Sequence, residues 1–124
     1  MVSTAPKRIL LVDDSAIIRA STGAALARAG FDVTVRGAFD ELIEHGIDGF
    51  DLILMDVHMP ELYGDDVAFT LRGERGVTTP IYLFSSLEER ELAKLAADAG
   101  IDGYIPKSAG LDKLVERVRQ ILTT

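Results

Sequence analysis

The chain has 124 residues, of which 48% are hydrophobic and 27% are charged. This length predicts one domain with a single core, and no apolar run approaches the about 18 residues of a membrane span. A formal net charge of −7 argues against a nucleic-acid groove, because phosphate binding needs clustered lysines and arginines. The absence of cysteine excludes disulfides and thiol chemistry. We therefore expect a cytoplasmic protein with no membrane insertion and no direct nucleic-acid contact.

Apolar runs of strand length alternate with segments of helical period, a pattern typical of strand–helix units that feed a parallel sheet. Several runs are apolar at nearly every position, as expected for strands covered by helices on both faces. The predicted strands are residues 8–12, 32–35, 52–55, 81–84 and 103–105. The predicted helices are residues 16–29, 39–45, 64–72, 88–99 and 111–122. The sequence thus predicts an α/β fold with a doubly wound, five-stranded parallel sheet and five helices.

The last predicted helix carries the clearest helical signal. Its apolar residues form one stripe at helical spacing: Leu111, Leu114, Val115, Val118, Ile121 and Leu122. Gly30 and Gly100 stand where the first and fourth helices should end, as glycine in a left-handed conformation explains. Because no repeat or linker interrupts the pattern, we expect a single domain over residues 1–124, with a core of about residues 8–122.

Polar side chains follow four of the five predicted strands. Asp13 and Asp14 follow the first strand, Asp56 the third, Ser85 the fourth, and Lys107 comes shortly after the fifth. Ligands bind such sheets beyond the carboxyl ends of the strands, so these residues should gather there. Three carboxylates brought together repel one another, which favours a hard cation with oxygen ligands, namely Mg²⁺. The lysine and the serine complement a phosphoryl group, and Asp56 is the candidate covalent acceptor.

Each of these residues alone has a simpler explanation. An aspartate pair before a helix commonly caps it, a serine at a strand end commonly forms a turn, and an isolated lysine is usually solvated. Asp56 is harder to explain in this way, because it closes an apolar strand where burial should begin. The coincidence at four strand ends favours a functional site.

At these residues the sequence resembles the receiver domains of response regulators in two-component signalling, chemotaxis-type members included. The segment from Met55 to Gly64 is similar to the family's phosphoacceptor loop, in which Asp is followed by Met-Pro and then Gly. The strand ends at Asp13–Asp14 and at Ser85 also resemble those of the family. The resemblance extends over nearly the whole chain and implies the flavodoxin-like strand order 2-1-3-4-5.

The resemblance implies a phosphoryl-transfer site. Asp56 would take a phosphoryl group from a phosphohistidine on a sensor histidine kinase or a histidine phosphotransfer protein. Mg²⁺ would be bound by the side chains of Asp14 and Asp56 and by the backbone carbonyl of His58, with Asp13 acting through water. Lys107 would pair with the phosphoryl oxygens.

The resemblance also implies a conformational switch. Ser85 would move toward the phosphoryl group and Tyr104 would turn inward with it. The surface of the fourth helix, the fifth strand and the fifth helix would then change for partner binding or onward phosphorelay. His58 and Leu87 stand where the family tunes phosphate lifetime, although His58 is equally well explained as a solvated loop residue. The apolar Leu87 predicts a phosphorylated state that lasts longer than seconds.

One segment departs from the family pattern. The family usually has proline after the lysine, often with a cis bond, whereas here Pro106 precedes Lys107 and Ser108 follows it. A cis bond without proline costs about 2.5–4 kcal/mol, so we expect a trans Lys107–Ser108 bond and a different loop path. Pro106 removes a backbone donor, which favours an edge position for the fifth strand.

The preferred function is a stand-alone receiver that binds a downstream target protein, as a monomer or as a phosphorylation-dependent dimer. It would be no enzyme beyond its own phosphorylation and dephosphorylation. One rival is a phosphatase resembling the haloacid-dehalogenase group, which requires a second Asp where this chain has His58. The other is a degenerate receiver that acts only as a protein-interaction module, which the complete set of site residues argues against.

Overall fold

The computed structural model describes residues 5–37, 49–57 and 78–123. Its strands are β1 (Arg8–Val12), β2 (Asp32–Arg36), β3 (Leu52–Met55), β4 (Ile81–Ser85) and β5 (Gly103–Pro106). Its helices are α1 (Ala16–Arg28), α2 (Glu89–Ala99) and α3 (Leu111–Leu122), with a short 3₁₀ helix at Lys107–Ala109. Helices α2 and α3 are the fourth and fifth helices predicted from the sequence. The helices predicted over residues 39–45 and 64–72 lie outside the described residues.

The strands form one parallel sheet in the order β2-β1-β3-β4-β5. This confirms the predicted α/β class and the order that the family resemblance implied. All four residues of β3 are buried, and so are Ile9 to Val12 of β1, whereas the edge strand β2 is only partly covered. Because every strand runs the same way, all five carboxyl ends meet at one edge of the sheet.

Helices cover both faces of the sheet. On one face, Leu26 of α1 and Leu114 and Val118 of α3 pack in a core cluster with strand residues such as Leu11 and Leu54. A second cluster joins Leu92 and Ala96 of α2 to Leu83 and Val57. Successive strand residues point to opposite faces, so a strand covered on both faces must be apolar throughout, as the central strand β3 is.

The ends of the helices follow the sequence signals. Gly100 caps α2 in the left-handed conformation, with φ 69°, and Gly30 follows the end of α1 with φ 100°. In α3, Leu114 and Val118 of the predicted stripe are fully buried, while Leu111 at its first turn is 37% exposed. No helix in the described part of the chain is long and apolar enough to span a membrane.

Candidate functional site

Three aspartates meet at the carboxyl edge of the sheet. Asp13 and Asp14 follow β1, and Asp56 follows the neighbouring strand β3. One carboxylate oxygen from each lies within 4.8 Å of the others. Asp13 is fully buried and Asp56 is 5% exposed, whereas Asp14 is exposed. The Asp56 N–H donates to the Val12 carbonyl over 2.8 Å, which continues the ladder between the strands and fixes where Asp56 leaves it.

Lys107 supplies a cation to this acidic cluster. Its Nζ lies 2.7 Å from Asp13 Oδ2 and 3.6 Å from Asp56 Oδ1, and its side chain is only 16% exposed. The same Nζ lies 5.4 Å from the centre of the Phe84 ring, which adds a weaker cation–π attraction. The alternative of a solvated surface lysine is therefore wrong.

The loop that departs from the family pattern still delivers Lys107 to the site. Pro106 is the last residue of the edge strand β5, paired with Ser85 of β4, as predicted for a residue without a backbone donor. Lys107 then begins the 3₁₀ helix that leads into α3. No cis peptide bond occurs among the described residues, in agreement with the expected trans bond at Lys107–Ser108.

Both carboxylate oxygens and the main-chain carbonyl of Asp13 accept hydrogen bonds. Its Oδ1 accepts from the Ser15 N–H over 2.9 Å, and its main-chain carbonyl accepts from Arg19 Nη1 over 2.8 Å. Ser15 itself caps α1, because its Oγ accepts from the Ile18 N–H over 3.3 Å. Ser15, and neither aspartate, is therefore the N-cap of α1.

Ser85 ends β4 at the same edge of the sheet and is fully buried. Its Oγ accepts a hydrogen bond from the Leu87 N–H over 3.3 Å, so the turn that the simpler explanation predicted is present. That bond uses a lone pair of the oxygen and leaves the hydroxyl proton available for donation. The turn and a functional role for Ser85 are thus compatible.

His58, which was predicted to contribute a backbone carbonyl and to tune phosphate lifetime, lies outside the described residues.

Comparison with known proteins agrees with this geometry. Residues 9–119 match the family described as "Response regulator receiver domain". The chain belongs to this family. It is 34% identical over 125 residues to the response regulator MprA of Mycobacterium sp. strain KMS, covering 94% of this chain and 51% of that protein. The receiver domain therefore spans about half the length of this curated relative.

Two solved structures share the fold of this receiver domain. The chemotaxis protein CheY4 of Vibrio cholerae is 26% identical, with a TM-score of 0.83 and coverage of 95% of this chain and 100% of that one. The BeF3-activated N-terminal receiver domain of Klebsiella pneumoniae RstA is 27% identical, with a TM-score of 0.82 and the same two coverages. Receiver domains are phosphoacceptor signalling modules with an acidic pocket.

Tyr104 of the receiver domain lies on β5, beside α2. Its ring packs against the second core cluster, and its hydroxyl donates to Glu89 Oε1 over 3.3 Å. Partial burial raises the pKa of the Tyr104 phenol above its ordinary value, and the charge and hydrogen bond of Glu89 raise it further. A groove of about 410 Å³ runs along the surface of α2, β5 and α3, with Lys113 and Arg117 on its α3 side.

Two neighbours of the acidic pocket, Phe84 and Arg19, were not predicted from the sequence. In the sequence Phe84 is predicted only as an apolar strand residue, yet the Lys107 ammonium group lies over its ring. In the sequence Arg19 is only a polar residue of the first predicted helix, yet its guanidinium donates a hydrogen bond to the Asp13 carbonyl. A signal for Arg19 was available, because long helical side chains point toward the amino terminus, where the pocket lies.

Proposed function

We propose that Asp56 accepts a phosphoryl group from a phosphohistidine on a sensor histidine kinase or a histidine phosphotransfer protein. An Asp56 carboxylate oxygen forms the new bond to phosphorus while the bond from phosphorus to the imidazole nitrogen breaks, and the imidazole keeps that electron pair. The observation that carries the proposal is the position of the Lys107 ammonium group, 3.6 Å from Asp56 Oδ1 in a largely buried pocket. A carboxylate so placed is a candidate covalent acceptor.

A divalent cation fits the donor set of this pocket. The three clustered carboxylates are hard oxygen ligands, and Mg²⁺ takes such ligands while keeping several waters. We assign direct binding to the side chains of Asp14 and Asp56. The His58 carbonyl, which the family resemblance implied as a further ligand, lies outside the described residues. Both oxygens of Asp13 already accept protein hydrogen bonds, which supports its action through water. When bound, the cation would neutralise charge on the transferring phosphoryl oxygens.

Lys107 and Ser85 would stabilise the product. The Lys107 ammonium group now lies closer to Asp13 than to Asp56, so it can shift toward the phosphoryl oxygens without leaving the pocket. Such charge-assisted hydrogen bonds are stronger than those between neutral groups. The Ser85 hydroxyl, whose proton is not used by the Leu87 contact, would move to donate to a phosphoryl oxygen.

Movement of Ser85 would change the surface of the domain because Tyr104 would turn inward with it. The phenol now bonds Glu89 of α2, so turning inward would break this bond and reshape the groove on α2, β5 and α3. This is the face that we assign to a downstream target protein or to onward phosphorelay. The apolar Leu87 offers no group to position an attacking water, and for this reason the phosphorylated state should last longer than seconds.

The other predictions about the cell remain predictions. These are cytoplasmic location, action as a stand-alone domain, a monomer or a phosphorylation-dependent dimer, and no direct nucleic-acid contact. The curated relative described above is about twice as long as this chain, so its own activity does not carry over.

Intact-mass measurement after incubation with phosphoramidate, with and without Mg²⁺, tests the proposal. We expect a Mg²⁺-dependent gain of one phosphoryl group that disappears in Asp56→Asn. The matched control is Asp98→Asn, the same chemical change at an exposed position of α2, which should be phosphorylated like the wild type. No gain in the folded wild type under any condition would favour a protein-interaction module, and steady phosphate release from esters would favour a phosphatase.

A further inference from the structure

Arg19 lies one turn into α1, and its guanidinium reaches back to the turn between β1 and α1. Its Nη1 donates to the Asp13 main-chain carbonyl over 2.8 Å in a partly buried setting. A cation near the amino terminus of a helix is opposed by the helix dipole, so the helix field does not hold Arg19 there. The hydrogen bond to Asp13 offsets this cost.

That bond fixes one particular peptide group. The Asp13 carbonyl and the Asp14 N–H belong to the same planar peptide unit. The N–H of Asp13 is held separately by the Arg36 carbonyl over 3.0 Å, which completes the ladder to β2. The hydrogen bond from Arg19 therefore fixes the orientation of the peptide unit that joins Asp13 to Asp14.

Asp14 depends on this plane more than Asp13 does. Both Asp13 oxygens are held by protein donors. The Asp14 carboxylate is exposed, and within the described ranges it makes no hydrogen bond to another residue. Its approach to the other two carboxylates is thus set by the backbone that carries it.

We propose that Arg19 is a positioning residue for the acidic pocket: by binding the Asp13 carbonyl, it holds the peptide plane that directs the Asp14 carboxylate at the cation. The inference rests on the proposed function for the identity of that cation. Arg19 touches none of the reacting atoms and acts through the backbone of Asp13.

The sign of the effect separates positioning from simple electrostatics. Loss of the Arg19 charge alone makes the pocket more negative and should tighten cation binding. Loss of the hydrogen bond frees the Asp13–Asp14 peptide and should weaken cation binding. Residues that orient metal ligands typically change metal affinity by about tenfold or more when they are removed.

Titration of the unphosphorylated protein with Mg²⁺ alone, by calorimetry, tests this proposal. Arg19→Met removes the donor and the charge but keeps an unbranched stem, and we expect its Mg²⁺ dissociation constant to rise about tenfold. Arg28→Met is the matched control: the same change, in the same helix, about 13 Å further along its axis at about 1.5 Å per residue. This control should change the dissociation constant less than about twofold, and urea unfolding of each variant verifies that it is folded.

Unchanged or tighter Mg²⁺ binding in folded Arg19→Met would overturn the proposal, and so would an equal weakening in Arg28→Met. If Arg19→Met does not fold, Arg19→Gln, whose shorter amide cannot keep the same reach, is judged by the same criterion. The phosphorylation assay separates the two proposals. A wild type that takes no phosphoryl group refutes the proposed function even when Arg19→Met weakens Mg²⁺ binding. A phosphorylated wild type with normal Mg²⁺ binding in Arg19→Met refutes the positioning role alone.

Discussion

Replacing Lys107 by Met should destabilise the domain, because it removes the cation from a buried carboxylate. The side chain of Asp13 is fully buried and that of Lys107 is 16% exposed, with 2.7 Å between Nζ and Oδ2. At an effective dielectric constant of about 20, Coulomb's law gives a gross attraction of roughly 6 kcal/mol at that distance. Desolvation of both ions cancels part of it, and removal of one partner from a buried pair typically costs about 3–5 kcal/mol. We expect a loss near 3 kcal/mol in the free energy of unfolding.

Urea unfolding at neutral pH, in the absence of divalent cations, measures this loss. For a domain of this length, about 3 kcal/mol also corresponds to a fall of roughly 12 °C in Tm. The control is Lys113→Met, since the ion pair of Lys113 with Glu116 spans 3.5 Å at the surface and the lysine is 67% exposed. Such exposed pairs contribute about 1 kcal/mol or less.

Mg²⁺ should then narrow the difference, because a bound cation replaces the missing positive charge and ligand binding stabilises the folded state. Equal unfolding midpoints for Lys107→Met and Lys113→Met would contradict the assignment of Lys107 to a buried ion pair. If Lys107→Met loses about 3 kcal/mol and Mg²⁺ does not make this loss smaller, the proposal that the pocket binds a cation is contradicted.

Three further predictions concern the neighbourhood of the pocket. Phosphorylated wild type, freed of donor and phosphatase, should keep its phosphoryl group longer than seconds because Leu87 is apolar, and intact mass followed over time would reveal a faster loss. Glu89→Gln should lower the pKa of Tyr104, which Glu89 helps to raise, as read by ultraviolet titration of the phenol. An unchanged phenol titration in Glu89→Gln would refute the contact between Glu89 and Tyr104. Because the pKa of Tyr104 is raised in the folded state, its contribution to stability is complete below the unfolded pKa of about 10 and is lost as the pH rises through the folded pKa. Gly103→Ala should cost about 1 kcal/mol or more, since the new Cβ would lie 2.8 Å from Tyr82 Cε2, and Tyr82→Leu should relieve that cost in urea unfolding.

The sequence determined the elements and the residue types of the site. Apolar runs covered on both faces mark the strands, and the stripe on α3 marks the side that packs on the sheet, with Leu114 and Val118 fully buried. The alternation of strands and helices then predicts a parallel sheet, and a parallel sheet brings its carboxyl ends to one edge. For this reason the clustering of Asp13, Asp14 and Asp56 is predictable from the sequence.

The contacts within the pocket could not be predicted from the sequence. Lys107 and Asp13 are 94 positions apart in the chain, yet their side chains meet at 2.7 Å, closer than Lys107 comes to Asp56. The family resemblance implies that Lys107 acts at the phosphoacceptor, whereas in this structure its ammonium group makes the shorter ion pair with Asp13. The position of Ile17 is likewise not predictable from the composition of α1, since Ile17 is 78% exposed whereas Leu26 of the same helix is fully buried.

These contacts depend on distances much finer than a sequence pattern specifies. Periodicity and strand ends fix where a backbone leaves the sheet to within a residue or two, but ion pairs and hydrogen bonds depend on tenths of an ångström. Such distances follow from the packing of all the elements together, here from a 3₁₀ turn after Pro106 and from the reach of Arg19 back along α1. The strand ends in the sequence predict an acidic pocket at this edge of the sheet, and the packing of the whole fold sets which side chains hold it in place.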